Sequence, residues 1–293
     1  FLTEQGVAEA YQFLLEATNA DVRRAFLERC HVVPAAHRTL DSREVRRKWR
    51  DDPTTVVFCG RDYYQKNGRL ALVVMTSMAR RFPQARFHYV GTTPDNSLSR
   101  RFSALPNATL HGPLTRGRAL AVIAASHVLF HPARYESFGM VYAEAMAAGL
   151  AIVSSAGRQM EHVDQLLDSG GARLVRRSDD FERDRAAFGR VLQRLLERRS
   201  EVEAMGAANY RCATNGVLSV RRRNASLGRI YKRAQAELAE PLSIADLGLD
   251  CTDCIRLSAA EVVEDFREFR RASPRAPMSV LVEDLDYRKP TLR

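Results

Sequence analysis

Two short stretches hold the residue types that could handle a polyanionic ligand. The first is Gly60-Arg61-Asp62-Tyr63-Tyr64-Gln65-Lys66-Asn67-Gly68, directly after the apolar run 55–59. A guanidinium can take two phosphate oxygens at once and an ammonium adds a compact point charge, so Arg61 and Lys66 suit a phosphate group. The second is Glu136-Ser137-Phe138-Gly139-Met140-Val141-Tyr142-Ala143-Glu144, set between apolar runs at 128–130 and 150–153. That pattern reads strand, loop, helix, strand. Glu136 then lies in the loop at a strand's carboxyl end, the helix starts near Gly139, and Glu144 falls in its second turn. In an open α/β sheet this crevice is where ligands bind, and the unpaired N–H groups of a helix N-terminus favour an anion.

The elements that must position these residues follow from the apolar pattern. Strands are expected at 55–59, 86–90, 108–110, 127–130, 151–153 and 172–175, with helices near 69–81, 96–104, 116–125, 139–148 and 161–168. Strands alternating with helices of that length imply an α/β fold with a doubly wound parallel sheet. Helices at 180–198, 201–212 and 219–239 follow, and Pro241 closes the core domain. Ahead of it, residues 1 to 50 read as largely helical, with a short extended piece at His31-Val32-Val33-Pro34 that the proline ends. Behind it, residues 241–293 read as a polar tail with one helix at 258–271, where Ser258 and Glu261 form a capping box.

With Ser137-Phe138-Gly139-Met140 and Glu144-Ala145-Met146-Ala147-Ala148-Gly149 inside the frame, the two glutamates resemble the E-x7-E signature of retaining GT-B glycosyltransferases of the family 4, or group 1, type. The Gly60-Arg61…Lys66 loop is similar to that family's diphosphate loop. The resemblance covers about 55–235 plus the Val-x-Pro segment and implies a Rossmann-like, nucleotide-sugar-binding domain at 51–240. It assigns Arg61 and Lys66 to the diphosphate, Glu136 to sugar hydroxyls and Glu144 to the ribose. Gly60, Ser137, Phe138, Gly139 and Met140 would contact the donor, His111 and Gly112 would lie near the nucleotide, and Gly157 is a weaker candidate. Lys66-Asn67-Gly68 departs from the family's Lys-Gly. The implied donor is a nucleoside-diphosphate sugar, with no metal or other cofactor.

Bulk properties fit without choosing. A formal charge of +10 suits a nucleotide diphosphate, a nucleic acid or an acidic surface equally. Arg221-Arg222-Arg223 lacks interleaved aromatics, and Val220, Leu227, Ile230 and Tyr231 give that helix a buried side, so a solvated helix face is favoured over nucleic-acid binding. Cys251-Thr252-Asp253-Cys254 has half a zinc site's spacing and no second pair nearby. Asp284-Leu285-Asp286 carries a D-x-D spacing but lies in the tail, not after a core strand. Asn107 and Asn224 head formal glycosylation sequons. Five scattered cysteines fit a reducing compartment, and no run approaches the roughly 18 apolar residues of a membrane span. A cytoplasmic location is expected.

Two functions compete on this reading. One is the donor-binding part of a retaining glycosyltransferase acting on an unknown glycan, lipid or protein acceptor; the other is a noncatalytic nucleotide-sugar-binding or scaffolding module that has lost its acceptor domain. About 30 residues before the Val-x-Pro segment are too few for a Rossmann domain, so residues 1–50 are expected to be a helical remnant and interdomain crossing, with the acceptor half elsewhere. Such chemistry needs a closed cleft that aligns the acceptor and excludes water. The isolated chain should therefore bind a sugar nucleotide yet transfer sugar negligibly. Donor turnover with candidate acceptors, and with water, measures this; saturable transfer abolished by Glu136→Ala would show a complete enzyme.

Overall fold

In the computed structural model the apolar runs form β1 (Thr55–Cys59), β2 (Arg86–Val90), β3 (Ala108–Gly112), β4 (Val128–His131), β5 (Ala151–Ala156) and β6 (Ala172–Arg176). The helices are α1 (Ser42–Asp51), α2 (Gly68–Arg81), α3 (Asn96–Ser103), α4 (Arg116–Ala124), α5 (Met140–Ala147), α6 (Phe181–Glu197), α7 (Arg199–Asn215) and α8 (Val220–Glu237). The structure describes residues 27–34, 36–51, 53–136, 139–157, 160, 169–178 and 180–237. These all fall in one unit, Phe1–Pro241.

Among the described residues the five strand pairings are all parallel, in the order β3-β2-β1-β4-β5-β6. The order runs outward from β1 in one direction, then reverses at β4, so the carboxyl ends of β1 and β4 flank the switch-point crevice of an open α/β sheet. Side chains alternate across each strand. Val56 and Phe58 of β1 therefore join Phe87, Tyr89, Phe130 and Val153 in a core closed by α2, α3 and α6. Val57 joins Leu129 and Ile152 in a second core closed by α4 and α5. With both faces covered, central strands carry continuous apolar runs, and each fully buried Val, Leu or Phe contributes about 1.5–3 kcal/mol.

The expected doubly wound sheet is present, with shifted boundaries. β5 extends to Ala156 and β4 to His131. Residues 30–34 and 36–41 carry no helix, so the helical reading of 1–50 holds among the described residues only for 27–29 and α1. The expected helices at 161–168 and 258–271 lie outside the described residues. One expectation is corrected: Val220, Leu227 and Ile230 on α8 are only half-buried and Tyr231 is 63% exposed. The helix packs along α7, so its apolar side is partly covered. Asn107, formally a glycosylation acceptor, has its amide nitrogen 2.9–3.1 Å from the carbonyls of Ala79, Phe82 and Ala85, closing the end of α2.

Lys48 braces the opposite edge of the sheet. Its buried Nζ donates to the carbonyls of Ser126 and Ala148 at 2.7 Å and of Ala124 at 3.3 Å. Ala124 ends α4 and Ala148 caps α5, so one amine serves two helix C-termini, where partial negative charge gathers. Lys48→Met leaves those carbonyls without a donor and should lower stability by about 1–3 kcal/mol. Burial also pulls this amine down to about 7 from its usual 10.5. Between those values the unfolded chain binds more protons than the folded one, so the Lys48 contribution to stability rises with pH across that window. Urea unfolding of both proteins at neutral pH and at about pH 9.5 checks the sign, because the gap between them should widen at the higher pH.

Candidate functional site

The loop after β1 is built by Asp62. Its carboxylate accepts the N–H groups of Tyr64 at 2.9 Å and Gln65 at 2.8 Å, while its carbonyl accepts that of Lys66 at 3.0 Å. A short acidic side chain closing its own backbone in this way makes a tight turn. Gly60 brings the stem of Lys66 inward, since a Cβ there would lie 2.9 Å from the Lys66 Cβ and 3.2 Å from the Phe58 ring. The residue at the family's glycine position, Asn67, is the only non-glycine with positive φ among the described residues, at 54°. Asparagine is one of the few side chains that tolerates this left-handed backbone. Asn67 thus supports a left-handed turn from which α2 starts at Gly68.

This loop is stitched to the one after β4. The Gln65 carbonyl accepts the N–H of Arg134 at 2.7 Å and of Tyr135 at 3.4 Å. Lys66 Nζ donates to the Tyr135 carbonyl at 3.2 Å and to Glu136 Oε1 at 2.8 Å. The other Glu136 oxygen, Oε2, lies 3.2 Å from Nε2 of His131, the last residue of β4. Glu136 and His131 are both buried. Burial alone would raise the Glu136 carboxyl, but the hydrogen bonds from His131 and Lys66, with the charge of Lys66, outweigh it and hold the group below the usual carboxylate range.

Glu144 stands on α5 with its carboxylate 3.4 Å from the exposed guanidinium of Arg116 at the start of α4. Burial raises its carboxyl, opposed by the charges of His37 and Arg116. Burial, with the charge of Glu144, also pushes the Cys59 thiol at the end of β1 up to about 11. Arg61 is exposed, and its carbonyl accepts the Thr92 hydroxyl at 2.9 Å. Met140 is exposed at the first position of α5, and Tyr64 and Tyr135 are exposed on the two stitched loops. Gly139 caps α5 at φ 68°. A Cβ there would overlap the Tyr142 ring and lie 2.7 Å from Glu136 Cγ.

His111 and Gly112 end the outer strand β3, one strand beyond β2 on the same carboxyl edge. His111 Nε2 is 2.9 Å from His88 Nδ1. Burial lowers His88 to about 4, helped by the charges of His111 and Arg86, and burial lowers His111 as well. Gly157 follows β5 with φ 115°, and among the described residues no atom lies within 4 Å of where a Cβ would be. Ser137 and Phe138 lie outside the described residues, as do Glu161, His162, Cys251, Cys254, Asp284 and Asp286. Among the described residues, no three His, Cys, Asp or Glu side chains are grouped to hold a metal ion.

The structure thus brings Lys66, Glu136 and Glu144 to the switch-point edge with Arg61 at its mouth, and leaves His111 and Gly112 at the sheet's flank. The arrangement offers cations to a phosphate and ionised oxygens to hydroxyl groups. Sequence reasoning passed over three contributors: His131, Asp62 and Arg116. A signal existed for His131, a polar residue ending the apolar run 128–130, and for Asp62, a turn-forming residue two places after Gly60.

Residues 53–198 match the family model described as glycosyl transferases group 1. A curated relative, the phosphatidylinositol N-acetylglucosaminyltransferase gpi3 subunit of Schizosaccharomyces pombe, is 26% identical over 165 residues, 54% of this chain and 36% of that protein. The chain therefore spans about a third of that relative's length. Among solved structures, the glycosyltransferase WaaG, involved in lipopolysaccharide biosynthesis, superposes with a TM-score of 0.57 at 17% identity over 78% of this chain and 61% of that one. The pneumococcal O-GlcNAc transferase GtfA, solved with UDP and GlcNAc, gives 0.55 at 17% identity over 72% and 40%. These two share the fold. No described helix is long and apolar enough to cross a membrane.

Gly139→Ala tests the local geometry. The left-handed backbone alone costs an L-residue about 1–2 kcal/mol, and the overlap with Tyr142 adds to it, so the melting temperature should fall. An unchanged melting temperature would show that the α5 cap has room for a methyl group.

Proposed function

Residues 53–198 are a domain of the glycosyl transferases group 1 family, and from that premise we propose that this chain is the donor-binding part of a retaining glycosyltransferase that uses a nucleoside-diphosphate sugar. The observation that carries the reading is the Lys66–Glu136 pair at 2.8 Å across the switch point, with Arg61 on the same loop as Lys66. A sugar nucleotide presents a diphosphate joined to a ring of hydroxyls, and the two halves of this pair match those two chemistries.

Arg61 and Lys66 neutralise charge growing on the leaving diphosphate, the electrostatic form of catalysis. Glu136 accepts hydrogen bonds from donor-sugar hydroxyls and Glu144 from the ribose. Lys66 lies within reach of both roles, so binding of the diphosphate draws its ammonium from Glu136 and frees that oxygen for the sugar. Gly60, Gly139 and Met140, with Ser137 and Phe138, border the donor, and His111 and Gly112 lie toward the base. Acceptor binding falls to elements outside residues 53–198, in this polypeptide or in a partner chain, and we place the reaction on the cytoplasmic side. The name of the fission-yeast relative makes N-acetylglucosamine the first sugar to test.

Calorimetry with UDP and UDP-N-acetylglucosamine is the direct test. A charge-assisted hydrogen bond is worth about 1.5–3 kcal/mol, so Arg61→Ala should weaken diphosphate binding about tenfold or more with the fold intact. Equal affinities remove Arg61 from the site. Binding without transfer to any acceptor would favour the scaffolding role.

A further inference from the structure

The Lys66–Glu136 pair raises a question that the proposed function, on which this inference rests, leaves open: what holds Glu136 once Lys66 has turned to the diphosphate. Glu136 is only 6% exposed, and a carboxylate buried without a donor is driven to take up a proton and lose its charge. One neighbour does not depend on the ligand. His131 is 1% exposed, its ring lies nearly parallel to Phe58 at 5.8 Å and edge-on to Tyr142 at 5.3 Å, and its Nε2 faces Glu136 Oε2 at 3.2 Å. The Tyr142 hydroxyl is in turn 2.7 Å from Ser154 Oγ on β5, so the slot around the imidazole is anchored to the sheet.

The other ring nitrogen fixes the proton's place. Among the described residues, His131 Nδ1 is buried and has no hydrogen-bond partner. A proton there would be a buried donor with nothing to meet, whereas a proton on Nε2 meets an ionised oxygen. We infer that His131 is a positioning residue for Glu136: its Nε2–H holds Oε2 in place, so that Oε1 keeps its charge and its aim toward a donor-sugar hydroxyl after Lys66 leaves. The partners divide by oxygen, one fixed to the strand end and one on the mobile stem of a lysine.

Three substitutions separate this from simple packing. His131→Phe keeps a ring in the slot and removes the donor. His131→Asn places its amide near the Nδ1 position, short of Glu136, while His131→Gln carries an amide N–H near the Nε2 position. The probes are UDP, which lacks the sugar, and UDP-N-acetylglucosamine and UDP-glucose, which carry one. The phenylalanine and asparagine variants should bind UDP like the wild type but lose about tenfold of the affinity that the sugar adds, and the glutamine variant should restore most of it. Equal sugar-dependent gains in wild type and His131→Phe, or a phenylalanine variant that loses UDP and sugar nucleotides alike, would overturn the positioning role while leaving the donor site standing. A wild-type chain that binds none of the three probes would instead sink the donor-site reading and the inference with it. A ligand-free arm completes the test: NMR of the 15N-histidine chain, with the His131 signals assigned from the glutamine variant, should show Nε2 protonated, and a bare Nε2 refutes the contact.

Discussion

Across the crevice where strand order reverses, one ammonium and one carboxylate meet at 2.8 Å, and much of the surrounding structure serves to let them do so. Lys66 belongs to the loop after β1 and Glu136 to the loop after β4, and these two strands are neighbours only because the sheet is wound outward in both directions from that point. A strand inserted between them would separate the charges by about 5 Å more. The Gln65 carbonyl, bonded to two N–H groups of the opposite loop, keeps the distance short, so the contact depends on backbone as well as on side-chain attraction.

Both charges are largely withdrawn from water, which gives the pair weight and makes it conditional. A buried carboxylate is stable only while its donors remain. Among the described residues Glu136 has one donor on each oxygen, whereas Glu144, on α5, faces the exposed Arg116 and has its carboxyl raised by burial. The two glutamates of one sequence motif therefore sit in different electrostatic settings. That difference follows from where the helix starts: Gly139 turns the chain sharply beside Glu136, and a side chain there would displace the carboxylate or the Tyr142 ring beneath it.

The two edges of the sheet are held by contrasting means. At the carboxyl edge, charged groups are arranged around an opening. At the amino edge Lys48 is consumed internally, with its amine shared among the carbonyls that end α4 and α5, and His127 bridges Thr55 N–H at 3.1 Å and the Lys48 carbonyl at 3.0 Å. An amine committed to helix-end carbonyls braces the unit, whereas a cation held by a carboxylate at the crevice can be exchanged. Residue type alone does not distinguish the two lysines; their depth and partners do.

Much of the fold was legible because a parallel sheet covered on both faces writes itself as short apolar runs separated by helices, and all six strands appeared where those runs lie. The candidate residues at Arg61, Lys66, Glu136 and Glu144 were legible through their spacing within two loops. The sequence could not indicate that Lys66 and Glu136 touch, since 70 residues separate them and only strand order brings their loops together. Nor could it show that His131 takes the second carboxylate oxygen, because a histidine ending an apolar run is equally well a core residue until its neighbours are known. Tyr231 marks the converse: helical periodicity placed it on a buried side, and the packing of α8 along α7 left it 63% exposed. Local pattern determines which elements form and which side of each is apolar, whereas partner, burial and protonation depend on contacts between residues far apart in the chain, and these exist only once the sheet has closed.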